Sequence, residues 1–237
     1  MDIWTTLESW DFAALMALNQ FIGASPTFDN FMLGVARNHL VRGGVIVGML
    51  WWCWTAPNGR IDFLAIRALA GAVVAIGIGR ALQNLLPQRD RPLHNPDISV
   101  QMADGVDETV LAGWSSFPSD TTTLFFALAM AIWSTNRGLG LLAFGWSLFV
   151  ICLPRIYFGF HYPSDIIGGA LIGMGIMWIA LRLPLFERMR NPFNRTQLAW
   201  PKLLPAVIFL ISFEAASLFE GSRRVLRDLA KLVVEGG

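Results

Sequence analysis

The chain has 237 residues, 54% of them hydrophobic and only 15% charged, with ten Trp, seventeen Phe and a mean hydropathy of +0.51; so low a charged fraction excludes an ordinary water-soluble globule. Its 18 basic and 17 acidic residues leave a formal charge of +1, without the basic face that nucleic acid requires, so no nucleic-acid partner is expected. Cys53 and Cys152 lie inside apolar runs and read as small buried hydrophobes rather than as a disulfide framework.

In chain order, the first apolar stretch is short. Phe12 to Ile22 follows the acidic start Met1, Asp2, Glu8 and Asp11, with no basic region of the kind that precedes a cleaved signal peptide. It reads as an interfacial or partly inserted helix, with a first span as the alternative. Six apolar runs follow: Gly43 to Ala56, Ala65 to Leu86, Leu124 to Trp133, Gly138 to Leu153, Ile166 to Leu181 and Leu203 to Phe219. Several are shorter than the ~20 residues that cross a bilayer, so their helices must extend into the flanking polar residues. Trp51, Trp52, Trp54, Trp133, Trp178 and Trp200 lie at or near run ends, where indole rings settle at headgroup level. Beyond the last run, Val225, Leu226, Leu229, Leu232 and Val233 recur at helical spacing between basic residues, an amphipathic tail over 222–237. The expected fold class is all-α: a polytopic membrane helix bundle of about six transmembrane helices plus an N-terminal interfacial helix. No repeat or linker divides it, and 1–237 reads as a single membrane domain.

The segment after the fifth run reads as a loop that carries Arg182, Arg188, Arg190, Arg195 and Lys202 against Glu187, and the positive-inside bias assigns it to the cytoplasm. The loops after the second and fourth runs then face the other way. This predicts a multi-pass protein of the plasma (inner) membrane with its polar site toward the periplasm or outside. Arg223, Arg224, Arg227 and Lys231 conflict with six spans, and the conflict disappears if the last run does not cross.

Three polar clusters fall on that side. In the first, Arg80 and Asn84 are one helical turn apart and share a face, and Arg89 and Arg91 follow the breaker Pro87. Forked guanidinium donors suit phosphate oxygens, although juxtamembrane arginines also snorkel to lipid headgroups. In the second, Pro118, Ser119, Asp120 and Thr121 open the third run, with Ser119 or Asp120 as N-cap. Free amides at such a helix start form an anion site. In the third, Arg155 precedes His161 and Asp165, the latter at a helix start. Asp165 could accept from the His161 Nδ1, leaving Nε2 as a nucleophile, with Arg155 for the oxyanions. Several arginines, helix-start amides and an oriented histidine together suit phosphoryl transfer.

These residues resemble the type 2 phosphatidic acid phosphatases, which share a superfamily with vanadium-dependent haloperoxidases. The family's motifs run K-x6-R-P, P-S-G-H and S-R-x5-H-x3-D. Arg155, His161 and Asp165 fit the third, with Pro154 where Ser is usual, and Arg91 and Pro92 fit the end of the first. The resemblance covers a phosphatase-like motif core over 80–181. It implies that His161 attacks phosphorus to give a phosphohistidine while Asp165 holds the ring. Arg91, Arg155 and Ser119 would bind the phosphoryl oxygens. Metal is not needed; His39, His94 and His161 are scattered without ligand spacing, so neither a metal nor any other cofactor is expected.

Two positions depart from the family. Asn84 stands at the lysine, where Arg80 or Arg89 could replace the charge, and Thr121 stands at the histidine that protonates the leaving group. A threonine hydroxyl is no general acid near neutral pH, and losing one costs ~10²- to 10⁴-fold. An alkoxide leaving group should suffer most and a phosphate leaving group least. The expected substrate is therefore a lipid phosphate or, preferentially, a lipid diphosphate, either hydrolysed or used for transfer. The alternative is a relative that binds lipid phosphate headgroups without turnover. The acidic loop from Leu93 to Gly113 reads as solvated, with a substrate lid as its alternative, and Glu214 is left outside the site.

Overall fold

The structure is a computed structural model that describes residues 3–56, 60–107, 109, 111–184, 187–218 and 225. The predicted tail over 222–237 lies outside the described residues except for Val225. No strand forms among the described residues; Thr55 and Ile61 share one isolated bridge. The all-α expectation holds.

Among the described residues the α-helices are, in order, α1 (Ile3–Asn19), α2 (Pro26–Arg37), α3 (Val45–Trp54), α4 (Leu64–Leu85), α5 (Asp120–Thr135), α6 (Arg137–Trp146), α7 (Leu153–Tyr157), α8 (Pro163–Arg182), α9 (Glu187–Ala199) and α10 (Leu203–Ala216). Leu40–Gly44 is a π-helical turn that leads into α3, and Ser147–Cys152 is another that joins α6 to α7. Local chemistry sets several starts. Ser25 caps α2, with Pro26 in its first turn, and the Asn136 side chain accepts from Leu139 N to open α6. Trp200 and Pro201 break the chain between α9 and α10, where it bends by 117°.

Among the described residues, three helical stretches are long and apolar enough to cross a membrane: Leu64–Leu85, Arg137–Tyr157 and Pro163–Arg182. The bent pair of α9 and α10 would make a fourth. The expectation of about six is not reached on length, and α5 shows why. It has 16 residues and occupies the centre of the bundle, with Leu124, Phe125, Leu128 and Ile132 fully or almost fully buried. Protein rather than lipid surrounds it, so the bilayer does not fix its length. α8 lies against it closely: a Cβ at Gly169 would stand 2.7 Å from Ser119 O, and one at Gly173 would stand 2.0 Å from Thr123 O. Such small-residue contacts let membrane helices approach where apolar lipid gives no hydrophobic drive.

Two elements differ from their sequence reading. The basic segment after α8 is not a loop, since most of it forms α9. The N-terminal helix presents Leu7, Trp10 and Phe12 outward, yet buries Asp11, Leu15 and Asn19 against the rest of the molecule, and Ile22 in the turn after it is buried too. Asn19 Oδ1 accepts from Gln101 N at 2.7 Å and its Nδ2 donates to Tyr157 O at 3.1 Å. The helix is thus docked, not merely adsorbed.

Candidate active site

α4 ends, α5 begins, α7 ends and α8 begins at one end of the bundle, around a cavity of about 760 Å³. His161 sits at its wall with a fully buried ring. The loop that carries it is folded onto α7, because His161 N and Phe160 N both donate to the Arg155 carbonyl, at 3.2 and 2.8 Å.

The ring nitrogens have separate partners. Nδ1 lies 2.9 Å from the Ser116 carbonyl, which can only accept, so Nδ1 carries the proton. Nε2 lies 3.0 Å from Arg91 Nη1, a donor, so its lone pair points at the guanidinium. Burial pulls the His161 pKa below that of free imidazole, opposed by Asp165 and helped by Arg91 and Arg155. The ring is therefore neutral at pH 7.

This corrects the direct Asp165–Nδ1 bond expected from the sequence. Asp165 Oδ2 is 3.6 Å from Nδ1 and is held by Ser116 Oγ and by Tyr162 N, the latter at 2.7 Å. Ser116 is therefore the intermediary: its carbonyl accepts the hydrogen bond from the ring Nδ1–H and its hydroxyl donates to the carboxylate. Asp165 remains close enough to favour positive charge on the imidazole.

Arg91 is almost fully buried and braces the segment around it, donating to Trp114 O (3.1 Å), Phe160 O (2.9 Å) and Ser115 O (3.1 Å) as well as facing Nε2. Burial, and then the neighbouring Arg155, push its pKa down to about 10, so it stays cationic at neutral pH. Four of its five donors are engaged.

Arg80, Arg155 and Thr121 also line the cavity. Arg89 does not: it donates to Asp165 Oδ1 (2.7 Å), Ser164 Oγ (2.8 Å) and Asp11 Oδ2 (2.7 Å), beneath the site and over the Tyr162 ring. It joins α1 to the start of α8. Ser119 is the N-cap of α5, its Oγ accepting from Thr122 N and Thr122 Oγ1, and it lies behind the cavity wall. Asn84 is exposed and lines a separate, smaller depression. Of the two replacements considered for the family's lysine, Arg80 faces the cavity and Arg89 is committed elsewhere.

Several residues were missed. Asp120 lines the cavity and pairs with Arg80 at 3.0 Å; an acid beside Ser119 in a phosphate-binding segment was the available signal. Gln83, one position before Asn84, donates to Pro118 O at 2.7 Å and ties α4 to the start of α5. Asp11 accepts from Ser164 N at 2.8 Å and from Ser164 Oγ. The acidic loop is not wholly solvated either, since Val106, Asp107 and Leu111 form part of the cavity wall.

The family model for the PAP2 superfamily matches residues 61–189, more than half of the chain, and the chain belongs to that superfamily. It is 28% identical over 200 residues to the putative undecaprenyl-diphosphatase YbjG of Escherichia coli (strain K12), covering 78% of this chain and 91% of that protein. It is 25% identical over 170 residues to the undecaprenyl-diphosphatase BcrC of Bacillus subtilis (strain 168), with 70% and 78% covered. The crystal structure of Aquifex aeolicus LpxE superposes with a TM-score of 0.54 at 22% identity, over 73% of this chain and 94% of that one, a likeness of fold. The apolar helices and these relatives make the chain a membrane protein of type 2 phosphatidic acid phosphatase kind.

Proposed function

We propose that the protein is a phosphatase of the plasma membrane that removes the terminal phosphate of a lipid diphosphate, of the undecaprenyl diphosphate kind, at a site open to the outer face. The observation that carries this reading is the neutral, buried His161 whose Nε2 lone pair meets Arg91 at the wall of a cavity shared with Arg80 and Arg155. The names of the YbjG and BcrC relatives point to the same substrate class.

Nε2 attacks the terminal phosphorus in line with the bridging oxygen. The P–O bond breaks, and its electron pair leaves with the lipid monophosphate. Arg91 transfers a hydrogen bond from Nε2 to a phosphoryl oxygen, and Arg155 and Arg80 add charge to the others. The imidazole becomes positive, stabilised by the Ser116 carbonyl and by Asp165. Water then attacks phosphorus, the P–N electron pair returns to Nε2, and orthophosphate leaves with the water's oxygen. A phosphate leaving group needs little protonation, which suits Thr121 at the position of the family's acid.

The test is phosphate release in detergent from a prenyl diphosphate and from phosphatidic acid, with His161→Ala beside the wild type. The expected result is faster release from the diphosphate, lost in His161→Ala. Faster turnover of phosphatidic acid would contradict the diphosphate preference. Background release by both proteins would favour headgroup binding without turnover, the second reading that Thr121 supports.

A further inference from the structure

His161 is neutral at rest, yet Asp165 beside it is wholly buried, and a buried carboxylate needs a countercharge. Arg89 supplies it. Its Nη1 donates to Asp165 Oδ1 at 2.7 Å and its Nη2 donates to Asp11 Oδ2 at 2.7 Å, so one guanidinium bridges two buried carboxylates. Their other hydrogen bonds also come from donors: Ser164 N and Ser164 Oγ reach Asp11, and Ser116 Oγ and Tyr162 N reach Asp165. Donors on every side match the ionised form of a carboxylate.

The backbone of Arg89 serves the same contact from the other side. Its carbonyl accepts from Ser116 N at 2.8 Å, and the Ser116 carbonyl is the one that receives the His161 Nδ1–H. The guanidinium lies 4.2 Å over the Tyr162 ring, a cation–π contact that fixes its plane. Taken together, Asp11, Arg89 and Asp165 carry a formal charge of minus one. Attack by Nε2 turns the ring, with Nδ1 still protonated, into an imidazolium that balances this charge.

We infer that Arg89 and Asp11 are positioning residues of the reaction: they hold Asp165 ionised beside a neutral His161 and leave one net negative charge for the phosphorylated ring to neutralise. The inference deepens the proposed function and rests on it for the covalent step. The two residues act on His161 in opposite senses. Removing the Arg89 charge leaves two negative charges and favours a proton on the ring, whereas removing the Asp11 charge leaves none and disfavours it. That proton goes to the ring rather than to Asp165, because Ser116 Oγ and Tyr162 N still donate to the carboxylate. Removing both charges restores the wild-type balance. The other charged or titratable groups around the ring are Arg91 from the loop after α4, Arg155 of α7, Asp120 of α5 with its partner Arg80 of α4, and Tyr162 under Arg89. None of them is altered in the variants below.

Heteronuclear NMR of isotope-labelled histidine in the full-length protein in detergent reads the His161 titration without turnover, with His161→Ala assigning its signals. The midpoint should rise by about one pH unit in Arg89→Gln and fall by a similar amount in Asp11→Asn, the low end of what a neighbouring charge exerts. The double variant should return near the wild-type midpoint, and Arg89→Lys, which keeps the charge, should stay near it. On the acid side of its raised midpoint, Arg89→Gln should turn over a prenyl diphosphate about tenfold more slowly and recover at higher pH. If Arg89→Gln does not fold, Asp11→Asn and Arg89→Lys decide: a fall in the first without a change in the second supports the inference. Unmoved midpoints, shifts of one sign in both single variants, or a double variant displaced further than either would overturn it, since a purely structural tie adds its losses. Opposite shifts without prenyl diphosphate turnover would sink the enzymatic reading alone. Turnover with unmoved midpoints would sink the role of Arg89 and Asp11 alone.

Discussion

Under the proposed function, Thr121, which lines the cavity where the family has its leaving-group acid, limits which leaving groups the site can expel. If the missing general acid is what disfavours monoesters, Thr121→His should raise phosphatidic acid turnover toward the ~10²–10⁴-fold that such a group supplies, with little change for a prenyl diphosphate. An unchanged ratio of the two rates would refute the leaving-group argument. His161 sets the acid side of the pH profile. Its folded pKa lies below 6.5, so activity should hold through pH 6.5 and fall only at lower pH as Nε2 protonates, and an acid limb centred above 6.5 would contradict this. The same shift affects stability. Between the depressed pKa and 6.5 the unfolded chain binds a proton that the folded chain does not, so stability rises with pH across that window. Arg155, His161 and Asp165 were legible because one short stretch carries all three, on α7, the loop after it and the start of α8. Ser116 was not, because it acts partly through a backbone carbonyl, which leaves no signature in residue type. Asp120 could be seen as a cap candidate, but its approach to Arg80 depends on how α4 meets α5.

α5 and α8 hold the two halves of the site together, and their separation depends on Gly173. Gly173→Ala would place a methyl 2.0 Å from Thr123 O, against backbone that cannot yield without moving a helix. Overpacking of this kind costs about 1–3 kcal/mol or more, so the variant should melt lower and lose activity with its site residues intact. A wild-type melting temperature would show that the helices are not so closely apposed. α1 is tied to the site through Asp11, which is buried beneath Arg89 and Ser164. Asp11→Ala removes charged hydrogen bonds each worth about 1.5–3 kcal/mol, discounted here because the Arg89 side chain is 29% exposed. It should lower phosphate release by loosening the start of α8, as well as destabilising the fold. The long runs that became α4 and α8 were legible from hydropathy almost to the residue. α2 was overlooked although Ser25 and Pro26 are ordinary helix-start chemistry, and α9 was taken for a loop because its polar residues gave no apolar run. The docking of α1 was hidden because Asp11 and Asn19 make its polar contacts with residues far along the chain, Arg89, Ser164, Gln101 and Tyr157.

The helices place the catalytic pole, the acidic loop and Arg37 at one end of the molecule and α9, with its basic residues, beyond the far end of α8. Hydropathy made the membrane class plain, whereas the number of spans was not readable, because a central helix such as α5 is sized by its neighbours and not by the bilayer. For a site that opens outward, Met102→Cys in a Cys53→Ser background should react with a membrane-impermeant maleimide in intact cells; labelling only after lysis would reverse the proposed orientation. The central claim is chemical, and trapping the covalent intermediate tests it most directly. A prenyl diphosphate labelled in its terminal phosphate, mixed with the protein and quenched in alkali, should leave acid-labile label on His161 of the wild type and none on His161→Ala. Turnover without such label, or turnover by His161→Ala at the wild-type rate, would contradict the account.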